Sequence, residues 1–467
     1  MNIVNCVNVC SNNTMIFIVI TTLTALGLIY SRFVLDTKYI IRMDNTNLKH
    51  MQSPNPSNQT TTESHRLENI LNLSDVLLNF RWEMLEPNIT RLDKYQHRQR
   101  LIDQLQQFAF QEPHIPINQS CTPPKLIEPK NIICSKYPDA FLQTEKYTHP
   151  VKVGHAIQLG FDADSLEIHL NEVFDVIDYF FILEATSVHC KTLKKKLMWS
   201  DLSLQPRFQR FRSKVIHLIL DDVDVTFING TKINAWTLES LQEEMRWRKI
   251  KEWNMKTNFF GGNDVIGFGD ADEIASRDNI QLLRWCPFKG ESLDIGIWFP
   301  FGRLDQAYAS DFPVSYKYKY TLGDPTFYRW KDIASSVPTK VTEPKKKWKR
   351  WYPTRLRGRS ASFLLGGIHL TYYTYLPYFM LKILSASECG NLSWVNISYK
   401  EGIRYLKEHN SLDVLENEIQ KRKKNIKIKI LESIKEDISK IVVIPWFYEC
   451  NKERYPAWKG NHDSRVS

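Results

Sequence analysis

The stretch that most constrains this chain is Val265-Ile-Gly-Phe-Gly-Asp-Ala-Asp-Glu-Ile-Ala-Ser-Arg277. A short apolar run, preceded by Gly261-Gly262, ends abruptly in three acids, Asp270, Asp272 and Glu273. Runs of this length, bounded by glycine and charge, read as strands buried on both faces of a parallel sheet. In open α/β sheets, ligands bind just beyond the carboxyl ends of such strands. Asp270 and Asp272 are two residues apart, so an extended backbone points both carboxylates the same way. Two converging carboxylates repel unless a cation lies between them. Oxygen-only ligation suits a hard divalent ion, Mn²⁺ or Mg²⁺, which can also hold a diphosphate. Asp-x-Asp is a short motif that chance alone produces, so its surroundings must carry the assignment.

Those surroundings alternate strand and helix from Val151 onward. Ala156–Leu159, Tyr179–Leu183, Val215–Leu220, Val265–Phe268 and Ser292–Trp298 read as strands. Asp164 reads as the cap of a helix carrying Leu166, Leu170, Val173, Phe174 and Ile177 on one face. Trp236–Trp253 and Asp278–Trp285 read as further helices. The pattern predicts an α/β fold with a mostly parallel sheet covered on both faces. Acids recur where strands end, at Glu184, at Asp221-Asp222 and at Asp270. Aromatics cluster between Trp298 and Trp330, as either core or sugar-stacking faces. Lys345 to Arg359 is the densest basic run, by default a solvated loop, alternatively one facing phosphate or glycan.

The formal charge of +10 admits nucleic acid, membrane headgroups or an anionic substrate. The N-terminus decides against the first. Residues 15–30 carry no charge, and continuing to Leu35 with Arg32 snorkelling gives a membrane-spanning length. Basic residues follow this segment and none precedes it, which by the positive-inside rule puts the remainder in the cytosol. After this segment, seven glycosylation sequons, at Asn58, Asn72, Asn88, Asn118, Asn229, Asn391 and Asn396, and six of the eight cysteines, dispersed along the chain, point the other way. We therefore expect a cytosolic tail at 1–14, a signal-anchor at 15–35, a stem with linker and helices at 36–145, and a luminal catalytic domain at 146–467. A luminal site excludes nucleic acid as a partner. The stem, with its apolar repeats near Leu67–Leu78 and Leu101–Phe108, either self-associates into a homo-oligomer or packs on the main domain. Six cysteines allow 15 pairings, and sequence does not choose among them.

Three blocks of the chain together resemble one enzyme family. They are Phe161-Asp followed by Leu170–Thr186, Asp270-Ala-Asp-Glu-Ile-Ala-Ser-Arg-Asp278, and Gly366-Gly-Ile-His369. The family is that of β-1,4-mannosyl-glycoprotein 4-β-N-acetylglucosaminyltransferase, and the similarity runs from about Val153 to about Glu408. Ala275 stands where the family has Pro, and Glu184-Ala-Thr186 where it has Glu-Ser-Asn. The resemblance implies a Rossmann-like, GT-A-type glycosyltransferase domain and a Golgi type II membrane protein. It implies UDP-GlcNAc as donor, an N-glycan mannose as acceptor, and a metal on Asp270 and Asp272. Glu184, Lys195, Arg277 and His369 are assigned to the donor side. Inverting transfer also needs a carboxylate base, for which Glu273, Glu291, Asp294 and Asp324 are candidates, with Glu273 and Asp324 preferred. Two rivals stand beside this reading: an inactive glycan-binding scaffold, and a haloacid-dehalogenase-type phosphatase, whose nucleophile motif also follows a strand.

Overall fold

The computed structural model describes residues 91–458, except 191–192, 221–226, 229–230, 233–234, 302, 308, 337–352, 371–375, 386–390, 393–396, 399–428, 431–437 and 456–457. The expected membrane segment, the linker, the first stem helix and most sequons lie outside the described residues. So do Asp221-Asp222, the Lys345–Tyr352 part of the basic run and Cys389. Among the described residues, no helix is long and apolar enough to cross a membrane.

The core is an eight-stranded sheet. Its strands are β1 (Val153–Gln158), β2 (Tyr179–Ala185), β3 (Val215–Leu220), β4 (Val265–Asp270), β5 (Glu273–Ala275), β6 (Ser292–Trp298), β7 (Thr321–Arg329) and β8 (Ser362–His369). Their order is β3-β2-β1-β4-β7-β6-β8-β5. The first four strands are mutually parallel, and β6 and β8 are parallel to each other, whereas β7 runs against β4 and β6 and β5 against β8. The result is a mixed α/β, mostly parallel, Rossmann-like sheet.

Burial explains the continuous apolar runs. In β2, Phe180 and Ile182 enter one core cluster while Phe181 and Leu183 enter another, and β1 divides the same way between Val153, Ile157 and Ala156. Successive residues point to opposite faces, so a strand with both faces covered must be apolar throughout. The first cluster lies under helices α1 (Arg91–Ala109), α2 (Ala163–Val173) and α4 (Arg277–Trp285); the second lies under α3 (Ala235–Thr257), through Trp247 and Ile250.

The right half of the sheet curls. Only Ala271 and Asp272 separate β4 from β5 in the chain, yet three strands lie between them in the sheet. A flat sheet would set them about 19 Å apart, while three Cα steps span at most about 11 Å. The strands β4-β7-β6-β8-β5 therefore wrap toward closure, which brings the end of β8 over the end of β4.

One cap and one helix start differ from expectation. Asp162, not Asp164, occupies the N-cap of α2, and Asp164 instead accepts a hydrogen bond from Arg207 Nη1 at 3.0 Å. Helix α4 starts at Arg277 with Ser276 as its cap, accepting from the Asn279 amide at 3.3 Å. Ser276 has the extended backbone a cap requires, Asp162 precedes its helix without a side-chain cap bond, and in both the next acid is already helical.

The segment expected as stem shares this core. Leu101, Ile102, Leu105 and Phe108 of α1 are fully or nearly fully buried with the sheet residues, and α1 packs on α5 (Leu376–Ser385). Disulfides Cys134–Cys286 and Cys121–Cys450 bind the same segment to α4 and to the C-terminal helix Trp446–Cys450.

Candidate active site

The carboxyl edge of the sheet collects the acids. Asp270 ends β4 level with Gln158 of β1. The two-residue turn Ala271-Asp272 then feeds β5, whose first residue, Glu273, lies opposite His369, the last of β8. This pairing depends on a break in β8. The register with β6 shifts between Leu365 and Ile368, where Gly366 and Gly367 take φ values of 129° and 145°. A side chain at Gly367 would place its Cβ 2.4 Å from the Ile274 carbonyl oxygen, so only glycine permits the bulge that aims His369 at the acids.

Each carboxylate meets a cation of the protein itself. Asp272, 1% exposed, accepts from Lys382 Nζ at 2.7 Å, and His369 Nε2 lies 3.4 Å from the same oxygen. Burial alone would raise its pKa, but Lys382 and His369 hold it well below the usual carboxylate range. Asp270 pairs through Oδ2 with Arg355, while its buried Oδ1 has no hydrogen-bond partner among the described residues. The repulsion between converging acids is thus met from within the fold.

Arg355 is the hub of this arrangement. It is a correction to the solvated-loop expectation, since its side chain is 4% exposed. Beyond Asp270 it reaches Glu273 Oε1 at 3.2 Å, Glu243 at 3.4 Å and Glu239 at 3.0 Å, the last two from α3. Arg357 adds a second contact to Glu239 at 2.8 Å. Burial opposes charge on Arg355, but these acids hold its pKa well above the ordinary value. Glu239 is correspondingly lowered against burial, by Arg355 and Arg357.

Glu273 is buried, and both its oxygens are used, Oε1 by Arg355 and Oε2 by the Asp270 amide at 2.9 Å. Burial and the nearby Asp270 raise its pKa. Asp324 of β7 is 1% exposed and is pushed well above the carboxylate range by burial and by Glu273; its Oδ1 has no partner among the described residues. Asp294 is tied to Thr326 Oγ1 at 2.6 Å and the Ser360 amide at 3.0 Å. Glu291 is exposed at the opposite, amino end of β6, away from this edge.

Asp162 was missed by the sequence reading as a site residue. It is half-buried at the start of α2, and burial, with Asp272 and Asp270 nearby, lifts its pKa to about 6 against the pull of Lys382. The available signal was Phe161-Asp162 standing just beyond β1, where the sheet's ligand edge begins. Lys382 left no such signal, lying 110 residues from Asp272.

The other expected donor-side residues are engaged elsewhere. Glu184 accepts from Lys195 Nζ at 2.9 Å, from the Met198 and Trp199 amides at 2.6 and 2.7 Å, and from His217 at 3.1 Å. Its charge satisfies the start of the short helix Met198–Leu202. Arg277 pairs with Asp175, just past the C-terminal end of α2, at 2.7 Å and with the Pro124 carbonyl. The structure therefore brings together Asp270, Asp272, Glu273, Asp324 and His369; among the described residues no hydrogen bond or ion pair joins Glu184, Lys195 or Arg277 to them.

No group of three or more His, Cys, Asp or Glu ligands forms a metal cage among the described residues. A hard divalent cation of the Mg²⁺ type does not need one, because it takes one or two carboxylates and completes its shell with substrate phosphates and water. Asp270, with a buried oxygen lacking a partner, and Asp272 beside it fit that demand.

Residues 139–298 match the family model described as Glycosyltransferase family 17. Similar proteins are the beta-1,4-mannosyl-glycoprotein 4-beta-N-acetylglucosaminyltransferases of Rattus norvegicus, Homo sapiens and Mus musculus. The chain is 24% identical to each over 135 residues, which is 29% of this chain and 24% of each relative. The alignment thus spans about a quarter of the length of these relatives. The matched region holds Asp162, Glu184, Lys195, Asp270, Asp272, Glu273 and Arg277, whereas Asp324, Arg355, His369 and Lys382 lie beyond it.

Proposed function

We propose that this protein transfers N-acetylglucosamine, with inversion, from UDP-GlcNAc to a mannose of an N-glycan. The observation that carries the reading is the family 17 sheet ending in Asp270 and Asp272, with one buried Asp270 oxygen left for a ligand. Asp270 and Asp272 would hold Mn²⁺ or Mg²⁺, with Asp162 as a third acid at the mouth. When bound, the cation would neutralise charge growing on the departing diphosphate. Glu273 fixes the turn by accepting from the Asp270 amide, and Arg355 pairs with Asp270 and orients it. His369 braces Asp272 from β8.

The acceptor hydroxyl must lose a proton as it attacks. A carboxyl with a raised pKa is suited to take it near neutral pH. Glu273 and Asp324 both meet that condition; Asp324 is the better choice, because it keeps an oxygen without a partner while Glu273 has both in use. A phosphatase of the haloacid-dehalogenase type would place the motif on the first strand of its domain, whereas here β4 follows three others.

Two disulfides fit an oxidising compartment, and with the sequons they support a Golgi-luminal domain on a type II anchor. The test of the donor reading is thermal. UDP with Mn²⁺ should raise the melting temperature, and EDTA should remove most of the shift, because only a ligand of the native state stabilises by mass action. Equal stabilisation in EDTA would mean that the acids do not bridge a diphosphate through a metal.

A further inference from the structure

Lys382 stands where an entering cation must act. Its Nζ lies 2.7 Å from Asp272 Oδ2, the oxygen also approached by His369 at 3.4 Å, and its charge is felt by Asp162. Helix α5 presents it from a fixed base, since Tyr378, Leu381 and Leu384 are buried in the main core.

Two features set Lys382 apart from Arg355, the other cation on these acids. Arg355 is 4% exposed and shared among four carboxylates, so moving it would strip charge compensation from all of them. The Lys382 side chain is 24% exposed, and its ammonium is a compact charge on a flexible four-carbon stem. Lys382 can therefore swing, and Arg355 cannot.

A divalent ion on Asp272 would lie about 2.0–2.2 Å from a carboxylate oxygen. That would set it within roughly 3–5 Å of an ammonium bonded to the same carboxylate, and at that range like charges repel strongly in a partly buried site. The ammonium must leave as the metal enters. The nearest new anion is the diphosphate the metal brings. We infer that Lys382 is an exchangeable counter-cation. Without nucleotide it holds Asp272; with donor bound it transfers to the diphosphate and stabilises the leaving group. This rests on the donor reading above and names a residue of its diphosphate site.

The inference makes two predictions of opposite sign for Lys382→Met. Mn²⁺ alone, followed by loss of the free-ion signal in electron paramagnetic resonance, should bind roughly tenfold tighter, because a competitor for Asp272 is gone. UDP at saturating Mn²⁺, followed by calorimetry, should bind roughly ten- to a hundredfold weaker, because a charge-assisted contact is lost. Lys382→Arg keeps the charge and should leave Mn²⁺ binding near wild type with UDP binding mostly retained; it also serves if the Met variant fails to fold. A damaged site would weaken both ligands together, and that outcome overturns the proposal. Unchanged binding of both in Lys382→Met, with wild type binding UDP and Mn²⁺ normally, overturns this proposal alone. Wild-type protein that binds no UDP under any condition overturns the donor reading and the proposal with it.

Discussion

Replacing Arg355 with Met is the most discriminating perturbation of this fold. Methionine fills the inner part of the space but lacks the guanidinium, so four carboxylates lose their shared cation. Charge-assisted contacts contribute about 1.5–3 kcal/mol each, which would total roughly 6–12 kcal/mol if they were independent. They are not independent, because each abandoned carboxyl can take a proton instead of remaining charged. One unit of upward pKa shift corresponds to about 1.4 kcal/mol, so protonation caps the loss near the 3–5 kcal/mol typical of a broken buried pair.

That cap makes the loss pH-dependent, with a definite sign. In the wild type, Glu239 has a lowered pKa, so its contribution is present above the unfolded carboxylate pKa and is lost as pH falls. In the variant, burial outweighs the remaining Arg357, and the folded pKa rises above the unfolded value. Stability is then present below about pH 4.3 and lost as pH rises. The gap between the two proteins should be small near about pH 5 and reach about 3–5 kcal/mol near about pH 7.5. Urea denaturation of both proteins at the two pH values measures it, from midpoints and slopes. A loss under about 1 kcal/mol, or one of equal size at both pH values, would refute the account of Arg355 as a shared counter-ion.

Three further outcomes follow from the same geometry. Asp272→Asn should lower turnover by roughly two powers of ten, and should also cost about 1–3 kcal/mol of stability because Lys382 and His369 lose their anion; unimpaired sugar transfer would sink the site assignment. Glu172, whose burial raises its pKa to about 7 although it accepts from the Arg277 and Trp446 amides, should stabilise fully below about pH 4.5 and lose up to about 3 kcal/mol as pH rises through 7; Glu172→Gln should flatten that part of the stability–pH curve, and an unaltered slope would remove Glu172 as its source. Asn118 is exposed, so in chain expressed through the secretory route enzymatic deglycosylation should reduce the apparent mass, and the Asn118→Gln variant should show a smaller reduction; a chain with no glycan at any sequon would overturn the luminal assignment.

Much of the sheet was legible locally. Val215–Leu220 and Ser292–Trp298 are strands with the limits the sequence predicts, both rich in Ile and other strand-favouring side chains, although Val215–Leu220 is an edge strand only partly covered. The acids after Val265–Phe268 were legible because an uncompensated charge is costly within a buried strand, so a cluster of them marks where the strand nears the ligand edge. Those are properties of neighbouring residues, and periodicity records them. The partners of the acids are not. Arg355 lies 85 residues from Asp270 and Lys382 lies 110 from Asp272, each within a segment that reads as an ordinary basic loop or apolar helix. What joins them is the curl of the sheet, forced by a two-residue link between strands that stand four places apart. The same curl decides the sign of Asp272→Asn on stability. From the sequence, removing one of two repelling charges relieves the apo state; in the folded protein each acid already has a cation, and its removal leaves that cation without a counter-charge. Sequence determined where the carboxylates stand. Only the tertiary structure decided what faces them, because the choice of ion-pair partner depends on distances through space that no local pattern encodes.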